Sequence, residues 1–485
     1  MEERLLERED ERSVRGCCGY VTAEARRVGY LAGPMVGVSL SQYMIQVTSS
    51  MIVGHLGDLA LSSSAIATSL SGVTGFSLLV GMASGLDTLC GQAYGARQYK
   101  KLGIHTYRAI FSLILVCIPI SLIWASMGKL LSLVGQDPLI SQEAGKYAIW
   151  MIPGLFAYGT AQPLMKFLLS QNLILPMLLS SVTTLSIHIP LCWVLVFKTG
   201  LGYVGAALSI SISHWINVFI LVLYIKYSDS CKATRLPLSM EAFRGVNEFL
   251  RLAIPSAVMI CLEWWSFELL VLLSGLLPNP RLETSVLSIS LTTIALINTI
   301  CYGIGCAAST RVSNELGAGN PDGAHLAVRV VISIAIVEAL VVSVTLFGLR
   351  RVIGYAYSDE DEVIDYVREM VPLVSISVIM DSCQSVMSGI ARGCGRQQIG
   401  AYVNLGAFYL AGIPIAVVLG FLLRIGGKGL WIGILSGATI QTILLGPLMV
   451  FKILNARQLL WFMLQAVLAR KRVFEERLPL ESALK

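Results

Sequence analysis

Residues 81–96 read GMASGLDTLCGQAYGA, and residues 303–318 read GIGCAASTRVSNELGA. At an offset of 222 positions, from 81 to 303, Gly81 falls on Gly303, Thr88 on Thr310, Gln92 on Asn314, and Gly95-Ala96 on Gly317-Ala318. Near that offset Pro34 falls on Pro255, Gln162 on Gln384, Met165 on Met387, and Ile189-Pro190 on Ile413-Pro414. Tyr203-Val204-Gly205 then falls against Trp431-Ile432-Gly433. The matches keep one order through both halves, so the chain reads as a tandem repeat.

What each repeat contains follows from composition. Of 485 residues 55% are hydrophobic and only 14% are charged, against roughly 25% charged in soluble domains. A single soluble core stops growing near roughly 250–300 residues, so much of this apolar surface must face lipid. A spanning helix needs roughly 20 apolar residues. Such runs occur near 30–53, 62–86, 104–127, 147–170, 174–197 and 203–226, and again near 249–277, 284–309, 327–349, 364–391, 401–423 and 429–452. The expectation is an all-α polytopic membrane protein of twelve transmembrane helices in two pseudo-symmetric six-helix bundles. It divides as a tail 1–28, a first bundle 29–226, a linker 227–248, a second bundle 249–452 and a tail 453–485.

Six is even, so both repeats enter the membrane in the same direction, related by an axis along the membrane normal. Lys and Arg accumulate in cytoplasmic loops. With both termini cytosolic, about 27 of the 36 Lys and Arg lie inside, including the cluster Arg97, Lys100, Lys101 and Arg108. The first 28 residues are charge-dense and carry no cleavable signal. Cys17 and Cys18, just before the first span, fit either palmitoylation or an ordinary cytosolic pair. The 11 cysteines form no C-x-x-C pair, so neither a metal site nor a disulfide framework is expected. The net charge of +6 shows no basic stripe interleaved with aromatics, which argues against nucleic acid. No Gly-Lys pair is followed by Ser or Thr, so no Walker A pump motif is present. No nucleophile–base motif suggests an enzyme.

An ionisable residue inside hydrocarbon is costly and marks function by default. Glu263 lies mid-span in MICLEWWSFELL and Asp381 in SVIMDSCQSVMSG, with Glu268 further along the former span. Through the repeat, Glu263 pairs with Gln42 and Asp381 with Gly159, so the acids are expected in the second half only. A carboxyl in low dielectric disfavours its charged form, so proton and organic cation would compete for it. Structural hydrogen bonds to neighbouring helices are the alternative. Ser377, Asp381, Gln384 and Ser385 share one helical face, as do Asn298, Tyr302, Gly305 and Ser309. Asn298 and Tyr302 either join the acids in a cavity or clamp two helices. Pro255, eight residues before Glu263, is read with Pro34 as a kink, either switching with protonation or static. Asp87 opens DTLCGQAYGA beside the basic loop and, with Gln92, reads as a structural or gating motif at the cytoplasmic end. His188 reads as a packing residue, Gly81/Gly85 and Gly91/Gly95 as close helix contacts, and Trp264-Trp265 either as a ligand stack or as packing.

LDTLCGQAYGA (86–96) and RVSNELGAGNP (311–321) resemble the paired signatures of the MATE (multidrug and toxic compound extrusion) family, in the form of its plant detoxification members. The resemblance covers roughly residues 28–455. It implies a V-shaped pair of bundles working by alternating access, with no cofactor and a proton gradient as the driving force. It implies efflux of organic cations, alkaloids, flavonoids and xenobiotics, with an essential glutamate and aspartate matching Glu263 and Asp381. The first-helix aspartate of many bacterial relatives has no match at Gln42. The expectation is a proton-coupled antiporter of organic cations or amphipathic metabolites, monomeric, in the plasma or vacuolar membrane. The alternatives are sodium coupling, export of organic anions such as citrate or flavonoids, and a membrane scaffold without turnover.

Overall fold

Lipid leaves each backbone amide to be satisfied within its own segment, and a helix does this without neighbours. The computed structural model describes the backbone of residues 2–237 and 245–448, with side chains from Gly19 onward. Twelve helical passes account for nearly all of it. We number them α1 (Glu2–Gly54), α2 (Asp58–Gly95), α3 (Tyr99–Ala125), α4 (Pro138–Ser170), α5 (Leu175–Phe197), α6 (Tyr203–Tyr227), α7 (Val246–Ser274), α8 (Pro280–Gly317), α9 (Pro321–Gly348), α10 (Asp361–Gly393), α11 (Gln397–Leu422) and α12 (Gly427–Leu448). Over the expected tail 1–28 the chain is helical from Glu2 and continuous with the first span in α1. The tail 453–485, the end of the last span, Glu241 and Arg244 of the linker, and the side chains of Cys17 and Cys18 lie outside the described residues.

Among the described residues nine helices are long and apolar enough to cross a membrane by length and composition alone. The other three passes are α1, α4 and α10. For α4 and α10 the reason is position. Both are central, with buried residues running from end to end, so their Ser, Gln and charged side chains face neighbouring helices rather than lipid.

Small residues let helix backbones approach closely in lipid, and the repeat uses them reciprocally. A Cβ on Gly81 of α2 would stand 2.5 Å from Ala257 Cα of α7. One on Gly303 of α8 would stand 2.9 Å from Val36 N of α1. Each contact lies two residues beyond the proline of the receiving helix, Pro255 or Pro34, and both helices continue through that proline. At the end of α2 and α8 the exchange is direct. A Cβ on Gly95 would fall 2.0 Å from Asn314 O, and one on Gly317 would fall 2.2 Å from Gln92 O. Gln92 and Asn314 are themselves repeat mates. The two signatures are therefore each other's packing surface across a pseudo-twofold.

The apolar core follows the same geometry. One cluster runs through the first six helices and, at the signature end, continues into α7, α8, α9 and α10 through Phe249, Ala253, Ala307, Val312, Val331 and Ile390. A second cluster fills the far end of the last six helices, around Leu287, Met370, Val374, Phe408 and Trp431. The core is shared at the signature end and divided at the other.

Candidate transport site

The site has two layers along α10, one at its last turn, where it meets the first half, and one further back within the second half. The first lies at the signature end. α2 rewinds at Ser84-Gly85 and places Asp87 in the next turn. Lys166 Nζ of α4 donates to Asp87 Oδ2 at 3.1 Å and lies 2.8 Å from Oδ1 as an ion pair. Arg392 Nε, in the last turn of α10, stands 3.3 Å from Asp87 Oδ2 as a charge contact without hydrogen-bond alignment. All three side chains are buried. Thr88 Oγ1 donates to Arg392 O at 2.5 Å and accepts from Gln397 Nε2 at 2.8 Å, while Gln92 Nε2 donates to Gly393 O at 3.5 Å. Asp87 thus pairs with Lys166 and Arg392 rather than with the loop cations Arg97, Lys100 and Lys101 beside which the sequence reading set it.

Two further ion pairs join the halves at this end. Glu24 of α1, buried, receives Arg311 of α8 in a two-pronged contact at 2.7 Å and 3.0 Å, and Arg311 also reaches Glu315. Such forked geometry suits guanidinium and carboxylate. Arg108 of α3 reaches Glu248 at the start of α7 at 3.0 Å.

The second layer lies deeper. Asp381 is 11 residues before Arg392, roughly 16 Å along the α10 axis at 1.5 Å per residue. It is buried, and its Oδ2 has no hydrogen-bond partner among the described residues. Glu263 of α7 lies within electrostatic range of Asp381 and of Arg392, and Gln384 approaches its carboxyl. Three of the expected site residues, Glu263, Asp381 and Gln384, therefore come together. Asn298 is half-buried and makes no side-chain hydrogen bond among the described residues. Tyr302 lies within electrostatic range of Lys166, Asp87 and Arg392 of the first layer. Ser377 accepts from Trp431 Nε1 at 2.9 Å, and Ser385 donates to Cys301 O at 3.0 Å.

Two charged residues missing from the sequence reading belong here. Lys166 completes the first layer. Glu338, half-buried on α9, accepts from Ser382 of α10 at 2.8 Å, with Cys301 Sγ 3.0 Å from the same hydroxyl. A charge mid-helix in an apolar run was the available signal. Several of the remaining candidates meet neighbouring helices. His188 is clamped between Ser49 (3.0 Å) and Ser213 (2.9 Å). Gln42 Nε2 lies 3.3 Å from Met165 Sδ. Glu268 accepts from Ser69 at 2.8 Å, and Trp265 Nε1 donates at 3.0 Å to Val73 O in a widened π turn of α2 (Gly72–Phe76). An i→i+5 turn displaces the helical ladder, and this carbonyl accepts from Ser77 Oγ as well.

The MatE family model matches the chain twice, over residues 34–194 and 255–418, one match to each repeat. The chain belongs to the MATE transporter family. Protein DETOXIFICATION 14 of Arabidopsis thaliana is 57% identical over 427 residues, 88% of each chain. Protein DETOXIFICATION 16 of the same plant is 54% identical over 431 residues, 89% of each. The crystal structure of the eukaryotic MATE transporter AtDTX14 superposes with a TM-score of 0.87 at 55% identity, covering 91% of this chain and 99% of that one. A structure titled as the outward-facing conformation of a multidrug resistance MATE family transporter gives a TM-score of 0.80 at 16% identity over 90% of this chain and 97% of that one, which speaks to fold alone. The twelve-helix MATE fold and multi-pass membrane insertion are thereby established for this chain.

Proposed function

We propose that this MATE transporter exports organic cations or amphipathic metabolites in exchange for protons, with Glu263 and Asp381 as the shared site. The observation that carries the reading is the bare Oδ2 of buried Asp381 beside a second acid. An ionised carboxylate without partners in an apolar surrounding costs several kcal/mol, so this oxygen calls for a proton or a cation. Both at once are redundant, and that competition is the chemistry of antiport.

The two layers supply a coupling route. Asp87 and Glu263 carry two negative charges, and Lys166 and Arg392 two positive ones. The set balances only while Glu263 is ionised. Protonating Glu263 strengthens the hold of Asp87 on Arg392 and favours closure of the signature end. Ionised Glu263 draws on Arg392 and loosens it. A coupled pair titrates as a unit, so the proton is shared between Glu263 and Asp381. We further place both termini in the cytosol, following the positive-inside balance, with the protein acting as a monomer at the plasma or vacuolar membrane.

The test is accumulation of a fluoroquinolone in an efflux-deficient bacterium at matched expression. Glu263→Gln and Asp381→Asn each keep the side-chain shape and remove the exchangeable charge. Each is expected to slow efflux at least about tenfold, the factor attached to ~1.4 kcal/mol, and a protonophore should do the same to the unaltered protein. Equal efflux by both variants would move the coupling site elsewhere. Sensitivity to replacement of sodium by choline, with none to the protonophore, would replace the proton by sodium.

A further inference from the structure

Beside the route between the halves, the first half carries a separate cavity of about 550 Å³, within the range of about 300–1,000 Å³ typical of small-molecule sites. Its floor is α4, through Leu164 and Phe167, and its walls are α3 at Ile110 and α6 at Val222 and Ile225. The linker after α6 roofs it with Leu236 and Pro237.

That roof is anchored. Thr234 Oγ1 donates to Gln171 Oε1 at 2.8 Å, both buried. Tyr107 OH of α3 donates to Leu236 O at 2.8 Å. Gly103 of α3 admits the linker, since a Cβ there would stand 2.7 Å from Thr234 O. Cys231 is fully buried beneath the strap. Burial pushes its thiol above the ordinary range, against a smaller opposing pull from Arg235.

The charge at the mouth selects the occupant. Lys226, in the last turn of α6, and Arg235, in the linker, both line the cavity and both are exposed. Neither makes an ion pair among the described residues. Arg235 reaches only Ile225 O, at 3.4 Å, and Lys226 lies over the Tyr227 ring at 5.4 Å. An apolar slot between two spanning helices, opening at a helix end under two cations, has the polarity of an acidic amphiphile. Where a helix leaves the bilayer, the anionic headgroups of the adjoining leaflet are the amphiphile at hand.

We propose that this cavity holds one anionic phospholipid of the adjoining leaflet, with an acyl chain between α3 and α6 and its phosphate on Lys226 and Arg235. The bound lipid props the roof at Leu236 and Pro237.

The test uses the full chain, delipidated in a mild detergent. Phosphatidylglycerol and phosphatidylcholine of matched chains are titrated against thermal unfolding and native mass spectrometry. Phosphatidylglycerol is expected to raise the melting temperature and to survive as a one-to-one adduct, and phosphatidylcholine to do neither. The double variant Lys226→Gln/Arg235→Gln should lose the preference while keeping the melting temperature of the delipidated protein. Val222→Trp, at an exposed wall position, should block the adduct without touching the cations. Equal effects of the two lipids, or an unchanged preference in the double variant, would overturn the proposal. So would an equal shift from inorganic phosphate alone, which would make the mouth a simple anion site. None of these variants touches Glu263 or Asp381, so efflux reports on that site separately.

Discussion

Asp87→Ala is expected to unfold the protein more readily than any single change at the acid layer. The carboxylate is the only described negative charge in contact with both Lys166 and Arg392, and removing it leaves two buried cations facing each other. Breaking a buried ion pair by deleting one partner costs about 3–5 kcal/mol. Thermal unfolding in detergent should show a loss of that order, together with abolished efflux. Because the damage comes from stranded charge, Asp87→Ala/Lys166→Met/Arg392→Met should recover much of the stability. Its efflux should stay abolished, since the link between Arg392 and Glu263 is gone. A loss below about 1 kcal/mol for the single variant would put the cluster in the class of solvent-screened surface pairs and remove it from the coupling route.

Gly95→Ala and Gly317→Ala are expected to stop transport while leaving a folded protein. Each new methyl would fall within 2.2 Å of a backbone oxygen of the opposite half, at Asn314 or Gln92. Overpacking of this kind costs typically 1–3 kcal/mol. It falls wholly on the state in which the signature end is closed, so the closed population should drop by roughly 5–150-fold. The contacts are mates under the repeat, so the two variants should be matched in size. Gly29→Ala, a helical glycine with nothing near its missing Cβ, is the control and should transport normally. The readout is the rate of alkylation of a cysteine introduced at the signature end, beside efflux in cells. A large effect from one glycine and none from the other would break the symmetry argument.

What could be read in advance divides by physical cause. The repeat was legible because it is enforced at the backbone. A position that touches another main chain tolerates only glycine, and Gly81, Gly95, Gly303 and Gly317 therefore stand out without knowledge of the fold. Glu263 and Asp381 were legible because an acid in an apolar run needs a reason to be there. The partners of Asp87 were not. Lys166 is 79 positions away and Arg392 is in the other half, and no local pattern links them. Asn298 and Tyr302 show the limit of helical spacing. It gives a shared face but not the neighbour that face meets, and Tyr302 lies in the field of Lys166. Glu338 stood in plain sight in IAIVEALVV, and its hydroxyl partner on α10 could be supplied only by tertiary packing.

The mutual seating of the two signatures also sets an order of events during synthesis. Gly95 and Gly317 are 222 positions apart along the chain. At about 5–20 residues per second, the first half waits on the order of tens of seconds for the surface that completes it. Over that interval Asp87 and Lys166 already neutralise each other, while Arg392 has yet to be made. The newborn half therefore enters the bilayer with its inner charges balanced but with its glycine face bare, a face on which a second nascent copy or an insertion chaperone would find the same foothold that α8 later takes.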